Sequence, residues 1–122
     1  MSKMIHIEVN NHNYLFSCSS RSTRSGFAHD CTLFRDYNEI ASATCHYLNR
    51  TWERWTYETA CSNAVQNEIN WRIDHLKEDY KYANNVKRMT KKHREQFQML
   101  VNANKYIKEL QQVKDELRKK VY

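Results

Sequence analysis

The chain contains no proline and a single glycine in its 122 residues. Glycine-rich phosphate loops of the P-loop and dinucleotide types are therefore excluded, because they need several glycines where backbone meets phosphate. Collagen-like, proline-rich and propeller architectures fall with them. No segment approaches the roughly 20 apolar residues of a membrane span, and Met1 to Asn10 lacks a signal peptide's apolar run. The expectation is a soluble, cytoplasmic protein with no membrane partner. Deaminase, zinc-protease and kinase motifs are missing too. No catalytic residue stands out, and the protein is expected not to be an enzyme. Cys18, Cys31, Cys45 and Cys61 form no C-x-x-C pair, so they read as four reduced thiols. A zinc site from His29, Cys31, Cys45 and His46 fails on strand geometry. Cys45 and His46 point to opposite faces, leaving three ligands, and neither a metal nor a cofactor is expected.

What is present divides into two halves of one domain, strand-rich over 1–56 and helical over 57–122. The predicted fold class is α+β: a small antiparallel sheet of three or four strands, then a long helical hairpin or arm. Ile5, Ile7 and Val9 alternate with polar His6 and Glu8, the period of a half-buried strand. The Asn10-Asn11-His12-Asn13 run reads as a turn, and Tyr14-Leu15-Phe16 opens the next strand. Ser17 to Gly26, with five serines and the only glycine, is expected to be a loop. Strands follow at Phe27–Leu33 and Ile40–Tyr47, the latter extending toward Trp55. From Tyr57, apolar residues at Cys61, Val65, Ile69, Ile73, Leu76 and Tyr80 make one helical stripe, with Thr56 as its N-cap. Ala83-Asn84-Asn85 is the weakest helical point, read as a bend or a short connection. Val86, Met89, His93, Leu100, Ile107, Leu110, Leu117 and Val121 continue the stripe, widened by Met99, Tyr106 and Val113.

Charge is unevenly spread over these halves. The net charge is +6, yet residues 1–76 hold seven Lys or Arg against eight Asp or Glu. Residues 77–122 hold thirteen against six, so the basic excess lies wholly in the last third. Such a surplus draws phosphate or an acidic protein surface. Its densest part is Lys87, Arg88, Lys91, Lys92 and Arg94. On one helix, Lys87, Lys91 and Arg94 share a row that could follow a phosphate backbone. A second candidate contact is Arg50, Trp52 and Arg54, which share one face if this segment is a strand, with Trp55 on the other. Stacking and cation–π surfaces of this kind suit bases or a protein hot spot. Arg21 and Arg24 in the serine-rich segment are an additional possibility.

The run Ala43 to Tyr57, with Asn49-Arg50-Thr51-Trp52-Glu53 at its centre, resembles a pattern in small phage and mobile-element proteins of Gram-positive bacteria. The resemblance spans about residues 26–70. With the small size, it also resembles the anti-CRISPR proteins, which share a role rather than a motif and so assign no residue here. The resemblance implies a phage or mobile-element accessory protein in the host cytoplasm. It would bind, and thereby inhibit, an RNA-guided defence nuclease or its RNA or DNA complex. Direct DNA or RNA regulation is the alternative, and helical self-assembly a third, with the chain a monomer or a helix-mediated dimer.

Overall fold

The structure is a computed structural model that describes residues 2–47 and 53–121. Four strands, β1 (Ser2–Val9), β2 (His12–Thr23), β3 (Gly26–Arg35) and β4 (Asn38–Tyr47), form an antiparallel sheet in chain order. Three helices follow: α1 (Glu53–Ala83), α2 (Lys91–Ala103) and α3 (Lys105–Val121). The predicted α+β class is observed. Among the described residues, no helix is long and apolar enough to cross a membrane.

Two-residue turns set the sheet's register. Asn10 and Asn11 sit at φ 52° and 66°, the left-handed pair that a hairpin turn of this length requires. Asp36 and Tyr37 do the same at φ 48° and 70°. Tyr37 is a bulky residue for that region, and the turn is tied down from outside. The Asp36 carboxylate accepts from the Asn13 N–H at 2.9 Å and meets His12 Nδ1 at 2.6 Å. The middle hairpin turns through Arg24 and Ser25 into Gly26.

The predicted Ser17–Gly26 loop is incorrect. β2 continues to Thr23 and pairs with β3 from Tyr14 to Thr23. Serine tolerates the pleat when its neighbours pack: Cys18 is buried on the core face while Ser19 is exposed on the other. The predicted extension of β4 toward Trp55 fails as well. The strand ends at Tyr47, and Glu53, Arg54 and Trp55 already belong to α1. Thr56 is thus interior to the helix rather than its cap. Each added residue gains a hydrogen bond once the helix is nucleated. The strand argument that placed Arg50, Trp52 and Arg54 on one face therefore does not hold for Arg54. Arg50 and Trp52 lie outside the described residues.

The core lies on one side of the sheet. Ile5, Ile7, Val9, Tyr14, Phe16, Cys18, Cys31 and Leu33 face α1 and α3, while Met4, His6, Glu8, Ser19 and Thr44 are exposed. On α1, Tyr57, Ala60, Cys61, Ala64, Val65 and Ile69 are buried, and the small residues let the helix approach the strands closely. The stripe predicted from Tyr57 is thus real. Three of the cysteines meet in this layer. Cys61 Sγ lies 3.3 Å from Cys18 and 3.5 Å from Cys31. Hydrogen bonds from Cys31 and Cys61 hold the Cys18 thiol below its usual range.

Helix α3 covers the β1 side through Ile107, Leu110, Val113 and Leu117. A polar network pins it. Buried Glu109 accepts from Tyr14 Oη and pairs with Arg35 at 3.1 Å, and Arg35 Nε donates to Tyr14 Oη at 2.9 Å. Satisfying Glu109 this way avoids the cost of a lone buried carboxylate. Burial, then the hydrogen bond to Glu109, pushes the Tyr14 phenol above its ordinary value. Nearby, the Tyr106 hydroxyl donates to Glu68 at 2.9 Å; burial raises the Glu68 pKa, and this bond partly opposes the rise.

The single stripe predicted over 86–121 is replaced by two. The chain breaks at Asn104, so α2 buries Phe97 and Val101, whereas α3 restarts with its own phase at Ile107. Leu100 and Met99 consequently face outward, 53% and 71% exposed.

Candidate nucleic-acid interface

Helix α1 has 31 residues, hence a length of about 46 Å, while the ten-residue strands beneath it span about 33 Å. It therefore outruns the sheet. Asn67, whose side chain donates to the Ser42 carbonyl at 3.0 Å, and Trp71, which lines a groove with Glu39 and Ile40, still touch β4. Beyond them the helix packs against α2. Tyr80 meets Phe97 edge-on with ring centres 5.9 Å apart, and its hydroxyl donates to Gln96 at 2.8 Å.

The end of α1 is a glycine-free Schellman cap. Asn85, at φ 52°, takes the left-handed position usually given to glycine, a role asparagine tolerates. The Val86 N–H reaches back to the Lys81 carbonyl at 2.9 Å and the Asn85 N–H to Tyr82 at 3.3 Å. Helix α2 starts just as definitely. Thr90 is its N-cap, and its hydroxyl accepts from the His93 N–H at 3.4 Å, while His93 Nδ1 accepts from the Thr90 N–H at 3.3 Å. This is a capping box with histidine in the place usually held by glutamate.

Five predicted site residues meet at the tip this corner forms. Lys87 and Arg88 occupy the connection, and Lys91, Lys92 and Arg94 occupy the first turn and a half of α2; all five are exposed. They do not share one helical row as expected, because residues 84–90 are not helical. They form a cluster around a helix start instead. Lys77 and Lys81 on the last turns of α1 join it, giving seven Lys or Arg between residues 77 and 94 against Glu78 and Asp79. Tyr82, 90% exposed, stands beside them. Among the described residues, none of the seven cations makes an ion pair within 4.0 Å.

The electrostatics of this corner run against the fold's own preference. A helix start carries a partial positive charge and exposes N–H groups, so carboxylates stabilise it and cations do not. At the opposite pole, α3 ends on Arg118, Lys119 and Lys120 and follows the rule. Helix α2 has no acidic residue in its first turn and places two lysines there, with Arg94 just after His93. A helix start, five nearby cations and an exposed aromatic ring make a surface that attracts phosphate oxygens and offers a stacking face.

The other predicted residues lie elsewhere. Arg54 is in the first turn of α1, so the helix separates it from the tip by about 44 Å. Trp52 and Arg50 are outside the described residues. Arg21 is committed to Asp30 at 2.8 Å, and Arg24 sits in the β2–β3 turn, at the sheet end where α1 begins. Sequence reasoning missed Lys77, Lys81 and Tyr82 as members of the tip. The signal for them was the charge balance, which changes sign at residue 77. No family model, curated protein or solved structure matches the chain.

Proposed function

We propose that the protein acts by binding, and that the tip formed by the end of α1 and the start of α2 grips the phosphate backbone of a nucleic acid. The observation that carries this reading is the unopposed cation cluster at the α2 start, where the fold alone favours carboxylates. Positions that break a local folding rule without compensation are where function is expected. Lys87, Arg88, Lys91, Lys92 and Arg94 supply the charge, and Tyr82 a stacking face. Phosphate contact positions a protein without reading bases, so the expected recognition is of backbone and shape. In the inhibitor role that the phage resemblance implies, the nucleic acid would be the guide or target strand held by an RNA-guided nuclease.

Fluorescence anisotropy with labelled RNA and DNA strands, single and double, tests the reading. Neutralising about five phosphates gives a slope of about −4.5 for log affinity against log salt on a duplex. The triple variant K87E/K91E/R94E should bind at least tenfold more weakly and show a flatter slope. The pair K105E/K108E, exposed on α3 away from the tip, should bind like wild type. Equal losses in both variants, or no loss in the triple variant, rule out the tip. A cleavage assay with a guide-loaded nuclease then separates inhibitor from regulator. Inhibition without measurable affinity for free strands identifies the inhibitor.

A further inference from the structure

The buried thiol cluster at the sheet–helix boundary is not used by the tip. Cys18 on β2, Cys31 on β3 and Cys61 on α1 come from three elements, and their Sγ atoms all lie within 4.8 Å of one another. Cys18 and Cys31 are direct partners across the β2–β3 ladder, and Cys61 points down between them. All three are at most 1% exposed. We propose that these three sulfurs form a site for a thiophilic divalent cation of the zinc and cadmium type.

The geometry is close to what such an ion needs. With metal–sulfur bonds of about 2.3 Å, two ligand sulfurs of a tetrahedral ion sit about 3.8 Å apart. Two of the separations are 3.3 and 3.5 Å and all three fall within 4.8 Å, so side-chain shifts of about an ångström or less admit the ion. Dispersed through a core, cysteines serve as small apolar residues. Converging on one point from two strands and a helix, they also present the soft donors that thiophilic metals prefer. Three protein ligands leave one tetrahedral position for a non-protein ligand.

The charge balance also favours a divalent ion. Loading breaks three S–H bonds, forms three metal–sulfur bonds and releases three protons to solvent. A divalent ion with three thiolates keeps one negative charge. Lys3, the ladder partner of Cys18, carries its ammonium over the Tyr57 ring at 5.4 Å, on the same side of the sheet. Buried His29, two residues before Cys31 on the same strand face, stacks on Tyr57 at 3.5 Å. This polar end of the core can stabilise the residual charge, which a purely aliphatic layer could not.

Cadmium titration of the reduced full-length chain tests the site, read by the ultraviolet charge-transfer absorption of cadmium thiolates. Because the sulfurs are buried, the titration is run on native protein and on protein refolded with the ion. The expected result is saturation at one equivalent, release of three protons in weak buffer, and a Tm raised by roughly 10 °C with the ion at a hundredfold excess over Kd. C61A, which keeps a small residue between Ala60 and Ala64 and whose fold is checked by circular dichroism, should lose the absorption. C45A, outside the cluster, should keep it. Absence of the absorption from native and refolded protein alike overturns the proposal. So does cadmium binding by folded C61A at wild-type strength, or its loss in C45A.

Discussion

At the residue scale, Asp36 shows how one carboxylate ties a strained turn to its neighbour. Its side chain accepts from His12 and from the Asn13 N–H, and these contacts, with Arg35 adding attraction, lower its pKa below the carboxylate's ordinary value. A carboxyl group whose folded pKa is depressed binds fewer protons folded than unfolded. Its contribution is present above the unfolded value of about 3.9 and is lost as pH falls through the folded one. Between about pH 5 and 2, the wild-type Tm should therefore fall more steeply than that of D36N. At neutral pH, D36N should instead be the less stable protein. Thermal melts across this range check both signs; parallel curves would show that Asp36 does not contribute.

At the element scale, the strands and α1 were legible because burial on one face writes a period into the sequence. Ile5, Ile7 and Val9 did so for β1, and Tyr57, Cys61, Val65 and Ile69 for α1. The Ser17–Gly26 segment was misread because serine-rich composition signals loops, whereas ladder pairing with β3 and the core-facing Cys18 decide this strand. The break at Asn104 escaped notice because no proline or glycine marks it. Its mechanism is a cap. The Asn104 side chain accepts from the Ile107 N–H at 3.0 Å, and the Asn104 N–H itself bonds back to Val101, ending one helix and starting the next. Removing that acceptor should cost about 1 kcal/mol, so N104A should melt several degrees lower than wild type. N104S, which retains a side-chain acceptor, should recover most of the loss. If alanine and serine melt alike, the side chain is not the cap.

At the scale of the whole molecule, the sheet, α1 and α3 make the stable body, and the α1–α2 tip carries a surplus of charge away from it. Part of this was legible, since the charge balance located the basic region and five of its residues. The distant cysteines were not, because nothing local in the sequence brings Cys18 and Cys61 together before the sheet and α1 pack. The tip's design separates stability from binding in a measurable way. Lys91 and Lys92 at the start of α2 oppose the helix dipole and repel Lys87, Arg88 and Arg94, so K91E/K92E removes two unfavourable terms together. Each carboxylate placed in a first turn stabilises by about 0.3–1 kcal/mol at low ionic strength. The double variant should therefore melt a few degrees above wild type at low salt. Salt should narrow the gap, because screening acts over about 10 Å at 0.1 M and relieves the wild-type repulsion. The same variant should bind nucleic acid more weakly than wild type. A more stable protein that has lost its ligand identifies these lysines as kept for a partner, against the fold's preference. A double variant that melts lower and binds unchanged shows instead that the cations support the helix, and the partner surface must be sought elsewhere.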